Sequence, residues 1–71
     1  MKSSIRIKLA KKIKELRNEQ GITQEKLAEL ARIDYKYLQR IEGKNPPALK
    51  IDTIEKIARA LNTTPSELLN F

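Results

Sequence analysis

A short segment near the middle of the chain concentrates side chains that can hydrogen-bond to phosphate groups and to the edges of bases. Its polar members are two tyrosines, a lysine, a glutamine and an arginine, namely Tyr35, Lys36, Tyr37, Gln39 and Arg40. Side chains of these types bind DNA phosphates and distinguish bases. On the outward side of one helix they would suit nucleic-acid binding. The alternative is that the tyrosines cover the edge of the core and the cations form a solvated face.

The sequence offers little for catalysis or for metal binding. Its 71 residues include no cysteine and no histidine, so disulfides, thiolate ligands and the commonest general base are excluded. The carboxylates are scattered along the chain, and no nucleophile stands beside a candidate base. We therefore expect no enzyme, no cofactor and no metal, and the sequence indicates no small-molecule ligand.

The positive charge of the chain is unevenly distributed. The net charge is +6, and residues 1–14 carry six cations without an acid, whereas residues 15–71 carry nine charges of each sign. This asymmetry suggests a polyanionic partner, either a nucleic acid or an acidic membrane surface. The first helix also contains Glu15 and Glu19 and lacks exposed aromatic residues, which argues against RNA or a membrane surface. Because no apolar run approaches a membrane span and no signal peptide is visible, we expect a cytoplasmic protein without a membrane partner.

The spacing of apolar residues predicts five short helices and no strand. Ser3 or Ser4 is predicted to cap the first helix, and Gly21 to end it; the apolar stripe of this helix is Ile5, Leu9, Ile13 and Leu16. The second helix, residues 24–31, follows the cap Thr23; its inward side chains are Leu27, Ala28, Leu30 and Ala31. The predicted fold is therefore all-α, a compact bundle that forms one domain over residues 1–71.

The remaining three helices are delimited by caps, glycine and proline. The third helix, residues 35–42, follows the cap Asp34 and ends at Gly43. A loop containing two prolines separates it from the fourth helix, which begins at residue 52 or 53 and ends at Leu61, with Asn62 as its C-terminal residue. The fifth helix begins at Thr64-Pro65 and is anchored by Leu68 and Leu69.

Two short helices joined by a three-residue break are typical of a helix-turn-helix, here at about residues 23–43. The small side chain of Ala28 suits the close crossing of the two helices, and Ile33 can point inward from the turn. Leu38 and Ile41, three residues apart, can anchor the second of the two helices in the core.

Several segments of the chain together resemble the lambda-repressor-like, Cro/C1-type helix-turn-helix family. They are LR (residues 16–17), GITQEKLA (21–28), YLQRIEG (37–43), DTIEKIARAL (52–61) and PSELL (65–69). The similarity covers nearly everything from residue 9 onward. It implies a sequence-specific regulator of transcription, a repressor or controller, that binds double-stranded DNA with a recognition helix at about residues 35–42 in the major groove.

The resemblance also implies roles for individual residues. By position, Tyr35, Lys36, Gln39 and Arg40 would contact base edges, and Gln24, Tyr37 and Lys44 would contact the DNA backbone. Gln24 would in addition brace the recognition helix, and Arg17 and Glu42 would form a buried ion pair between the first and third helices. Arg32 departs from the family, since many members have glycine there, and the loop after Gly43 carries extra residues.

Members of this family usually bind as two-fold dimers, so the resemblance implies a homodimer on an inverted-repeat operator. The C-terminal apolar group of Leu68, Leu69 and Phe71 is the candidate for the contact between subunits. A different class of function is an antitoxin-like or other protein-interaction module that binds DNA secondarily. Nothing in the sequence is an evident toxin-wrapping segment, which favours the regulator.

Overall fold

The computed structural model describes residues 4–71, so that Lys2 and the candidate cap Ser3 lie outside the described residues. Within this range the chain forms five helices and no strand, which confirms the predicted all-α fold. The helices are α1 (Ser4–Glu19), α2 (Gln24–Ala31), α3 (Tyr35–Ile41), α4 (Ile51–Ala60) and α5 (Pro65–Leu68). None of them is long and apolar enough to cross a membrane.

Side chains cap three of the helices, two of them at the caps Thr23 and Asp34 that the sequence predicts. The Thr23 hydroxyl accepts a hydrogen bond from the backbone N–H of Lys26 at 3.0 Å and thereby caps α2. The Asp34 carboxylate accepts one from the N–H of Tyr37 at 3.3 Å at the start of α3, and Thr64 caps α5 in the same way. Each cap satisfies a backbone donor that has no partner within its helix.

The fourth helix differs from its predicted bounds. It begins at Ile51, and the residue before it, Lys50, makes no side-chain cap. The first turn closes through the backbone alone, because the Lys50 carbonyl accepts from the N–H of Ile54 at 3.1 Å. At the other end Leu61 is the cap, and Asn62 has the left-handed conformation expected of the residue that ends a helix.

The core lies where the five helices meet, and α2 packs against both α3 and α4. Its largest fully buried side chains are Ile13, Leu27, Leu38, Ile41, Ile57, Leu61 and Leu68. Three residues assigned to the buried faces from sequence are exposed instead, namely Ile5, Leu30 and Leu69. Leu30 is rotated about 100° around α2 from the buried Ala31. Ile5 lies in the first turn of α1 and Leu69 just beyond α5, where less of the bundle covers them.

The turn between α2 and α3 is built on a left-handed arginine. Arg32 has φ 57° and ψ 44°, and the N–H of Ile33 reaches back to the carbonyl of Ala28 at 3.0 Å. This conformation ends α2 in the way that glycine would, at a cost that L-residues other than glycine incur. The departure from the family at this position therefore leaves a left-handed turn in place.

Replacing Arg32 with glycine is expected to stabilise the protein by up to about 1 kcal/mol, because glycine occupies the left-handed region without steric strain. Urea denaturation of the two proteins would measure the change. Lys56→Gly serves as the control, since glycine at an exposed position within α4 should destabilise by about 1 kcal/mol. A loss of stability in Arg32→Gly as large as that in the control would contradict the prediction.

Candidate nucleic-acid interface

The outward side of α3 presents the four residues expected to contact bases. Tyr35, Lys36, Gln39 and Arg40 are all exposed. At the helical rotation of 100° per residue, their positions fall within an arc of about 140°. Leu38 and Ile41, on the opposite side, are fully buried and fix α3 to the core. The helix thus has one apolar face for anchoring and one face rich in hydrogen-bonding groups.

Tyr37 is placed differently from these four residues. It is half-buried and packs against the core cluster. This environment agrees with the alternative in which the ring covers the edge of the core. A tyrosine can fulfil both roles, since its ring is apolar and its hydroxyl group is polar. The contact of Tyr37 with the DNA backbone stays a prediction.

A buried ion pair connects α1 to the end of α3, as expected. Arg17 Nε donates to Glu42 Oε2 and Arg17 Nη2 donates to Glu42 Oε1, each at 2.9 Å. The two side chains are 10% and 1% exposed, respectively. The third guanidinium contact runs from Nη1 to the carbonyl of Ile22 at 2.9 Å. This geometry is the bidentate form, in which both oxygens of the carboxylate accept from one arginine.

Gln24 joins the same carboxylate from α2. Its Nε2 donates to Glu42 Oε1 at 3.1 Å, which confirms the predicted bracing contact. Glu42 is the C-cap residue of α3, so one carboxylate links the first residue of α2, the last turn of α1 and the end of α3. The orientation of α3 is therefore held by charge-assisted hydrogen bonds as well as by apolar packing.

The cations of the candidate interface are available for an external partner. Lys36, Arg40 and Lys44 form no ion pair with any side chain among residues 5–71. Lys44 is exposed and follows Gly43. At Gly43 the chain passes close to the end of α3, since a Cβ there would lie 3.3 Å from two α3 carbonyl oxygens. Nowhere between residues 5 and 71 do three or more His, Cys, Asp or Glu residues group so as to hold a metal ion.

Two lysines that sequence reasoning did not assign to the site lie next to Lys44. Lys11 and Lys14 of α1 line an open groove together with Gly43 and Lys44. They are three residues apart and so share a face of α1. That spacing is visible in the sequence, but their position beside the end of α3 depends on the packing of the bundle.

Comparison with known proteins gives matches over nearly the whole chain. The helix-turn-helix family matches residues 13–68. Control protein C.BamHI from Bacillus amyloliquefaciens is 33% identical over 72 residues, which cover 100% of this chain and 88% of that protein.

Solved structures give the same result. The restriction-modification controller protein C.AhdI from Aeromonas hydrophila has a TM-score of 0.86 and 32% identity, and the match covers 93% of this chain and 98% of the other. C.Esp1396I bound to a 19 base pair DNA duplex has a TM-score of 0.84 and 33% identity, covering 93% of this chain and 87% of that chain. The similarity therefore includes all five helices and not the helix-turn-helix alone.

Proposed function

Since the chain belongs to the Cro/C1-type helix-turn-helix family of DNA-binding transcription regulators, we propose that it is a controller protein that binds a specific operator in double-stranded DNA. The observation that carries this proposal is the outward face of α3, whose hydrogen-bonding side chains are exposed while its opposite face is anchored in the core. The similar structure named as a restriction-modification controller supports a role in regulating such a locus.

In this proposal the contacts with DNA divide into two kinds. Tyr35, Lys36, Gln39 and Arg40 of α3 enter the major groove and contact base edges, which gives sequence specificity. Gln24, Tyr37 and Lys44 flank α3 and contact the DNA backbone, which fixes the orientation of the protein without reading sequence. The structure with bound DNA among the similar proteins supports binding to a duplex.

We further propose that the protein acts as a homodimer. One recognition helix contacts few base pairs, whereas two related by a two-fold axis read an inverted repeat with half-sites about one DNA turn apart. Of the three C-terminal residues predicted to mediate this contact, Leu68 is fully buried in the core of one subunit and is unavailable. Leu69 and Phe71 remain exposed.

An apolar face around these residues is the proposed dimer interface. Leu69 and Ile5 line an open apolar cavity of about 270 Å³ between α1, α4 and the loop before α4. Ile51, one turn before the cavity-lining Ile54, is 82% exposed. We call the set Ile5, Ile51, Leu69 and Phe71 the C-terminal apolar face. Ile5 and Leu69 share the cavity lining, Ile51 shares a face of α4 with Ile54, and Phe71 follows Leu69 by two residues. Clusters of exposed apolar side chains are typical of interaction surfaces.

Selection of bound duplexes from a random DNA pool tests the proposed function. We expect the enriched sequences to share an inverted repeat, because two copies of α3 related by symmetry read the same half-site. A pool without enrichment, or with binding to RNA in preference to duplex DNA, would refute the proposal.

Leu69→Ala is expected to weaken dimerisation by about 1 kcal/mol, a factor of about 5 in the dissociation constant, because the truncation removes apolar contact at the interface. Sedimentation equilibrium over a range of concentrations would measure the shift. Leu30→Ala is the matched control, since Leu30 is similarly exposed on α2 and lies outside the C-terminal apolar face. Wild-type protein that stays monomeric both free and on an inverted-repeat duplex would refute the dimer.

A further inference from the structure

The groove beside the end of α3 brings together cations that are distant in sequence. Its walls are formed by α1, which contributes Lys11 and Lys14, and by the segment after α3, which contributes Gly43 and Lys44. All three lysines are exposed, and the groove is open to solvent with a volume of about 340 Å³. The site is therefore accessible to a ligand the size of a phosphate group.

The acidic residue of this groove does not neutralise the lysines. Glu42 contributes to the groove wall, but both of its oxygens accept hydrogen bonds from Arg17, and one accepts a further bond from Gln24. Its side chain is 1% exposed. Within residues 5–71, none of the three lysines forms an ion pair. The groove consequently carries three uncompensated positive charges.

Two of these charges repel each other along α1. Lys8, Lys11 and Lys14 follow one another at intervals of three residues, and like charges at that spacing destabilise a helix. Arg17, three residues after Lys14, continues the same spacing, and it is the member that forms an ion pair, with Glu42. An anion in the groove would relieve the repulsion between Lys11 and Lys14, so their arrangement favours the bound state.

We infer that Lys11 and Lys14 add a contact with DNA beside that of Lys44 and hold a further backbone phosphate outside the part of the major groove occupied by α3. The inference rests on the proposed function, in which α3 lies in the major groove. Gly43, just after the end of α3, lines the lysine groove, so this groove would lie beside the bound duplex. It extends the footprint of the protein along the duplex and assigns a role to part of the N-terminal charge excess. The contact reads no sequence, since phosphates are the same at every base pair.

The salt dependence of binding tests this contact. Each phosphate neutralised by a protein adds about 0.9 to the slope of log affinity against log salt. The double variant Lys11→Gln, Lys14→Gln should therefore show a slope smaller by about 1 and, at about 0.1 M salt, an affinity roughly tenfold lower. The loss should be the same on the selected operator and on an unrelated duplex. The titrations would use fluorescence anisotropy from about 50 to about 300 mM salt.

The matched control is Lys56→Gln, which removes a lysine from an exposed position on α4 that does not line the groove. Thermal denaturation should show that the double variant is folded and no less stable than wild type, because the repulsion along α1 is reduced. An unchanged slope in the double variant, or an equal change in the control, would overturn the inference while leaving the proposed function intact. Wild-type protein that binds no duplex would instead overturn the proposed function.

Inorganic phosphate separates DNA from a small anion as the ligand of the groove. We expect phosphate to compete with DNA no more than an equal ionic strength of chloride does. Saturable protection of wild type by phosphate in thermal denaturation, lost in the double variant and accompanied by an unchanged DNA slope, would assign the groove to a free anion and overturn the inference.

Discussion

Replacing Glu42 with alanine is expected to lower the free energy of unfolding by about 3–5 kcal/mol. The substitution leaves the Arg17 guanidinium buried without its carboxylate and also removes the partner of Gln24. A buried charge that loses its partner retains the cost of desolvation, which is why the loss exceeds the value of an ordinary hydrogen bond. Urea denaturation followed by circular dichroism would measure the change in midpoint.

Two further variants separate the ion pair from the loss of a side chain. Glu19→Ala removes an exposed carboxylate two residues from Arg17 and should change stability by no more than about 0.5 kcal/mol. The double variant Arg17→Met, Glu42→Leu should recover most of the lost stability, because apolar residues of similar volume can replace a buried pair. Equal denaturation midpoints for Glu42→Ala and Glu19→Ala would contradict a structural role for the pair.

Arg40→Ala is expected to reduce affinity for the selected operator by about 1–3 kcal/mol and to flatten the preference at one base position. Arg40 lies on the exposed side of α3, one turn beyond Lys36, so both would enter the major groove. A bidentate contact between arginine and guanine discriminates against other bases, whereas non-specific binding depends chiefly on phosphates. Binding to a set of operators with single base changes would measure the effect.

Lys44→Ala is the comparison variant that distinguishes the loss of a phosphate contact from the loss of a base contact. Lys44 follows α3 and is expected to contact a phosphate, so its loss should weaken good and poor sites alike and reduce the salt slope by about 1. If Arg40→Ala also weakens all sequences equally, Arg40 is not a reader of bases. The proposed position of α3 in the major groove would then be wrong.

Local signals in the sequence were sufficient to predict most of the fold. Thr23 and Asp34 cap helices where expected, Pro65 begins α5, and Gly21 and Asn62 have the positive φ that ends a helix. These features depend on a few neighbouring residues, so a single sequence contains them. The start of α4 was missed by one residue because its first turn has no side-chain cap to mark it.

The errors concern which side chains are covered by distant parts of the chain. Leu30 and Leu69 are apolar and were assigned to buried faces, yet both are exposed in the folded chain. The groove formed by Lys11, Lys14 and Lys44 was missed for the same reason, since it brings together residues about thirty positions apart. The roles of individual residues on DNA came from the family resemblance and stay predictions.

The hydrogen bond between Gln24 and Glu42 has a consequence for the entropy of binding. A glutamine amide carries two N–H donors, and Glu42 accepts from this nitrogen at 3.1 Å, so a second donor remains for a phosphate. Immobilising a flexible side chain at an interface costs about 0.5–1.5 kcal/mol. For Gln24 much of that ordering already occurs when the chain folds. Substitutions at Glu42 that preserve folding should therefore make the proposed contact of Gln24 with a phosphate entropically less favourable.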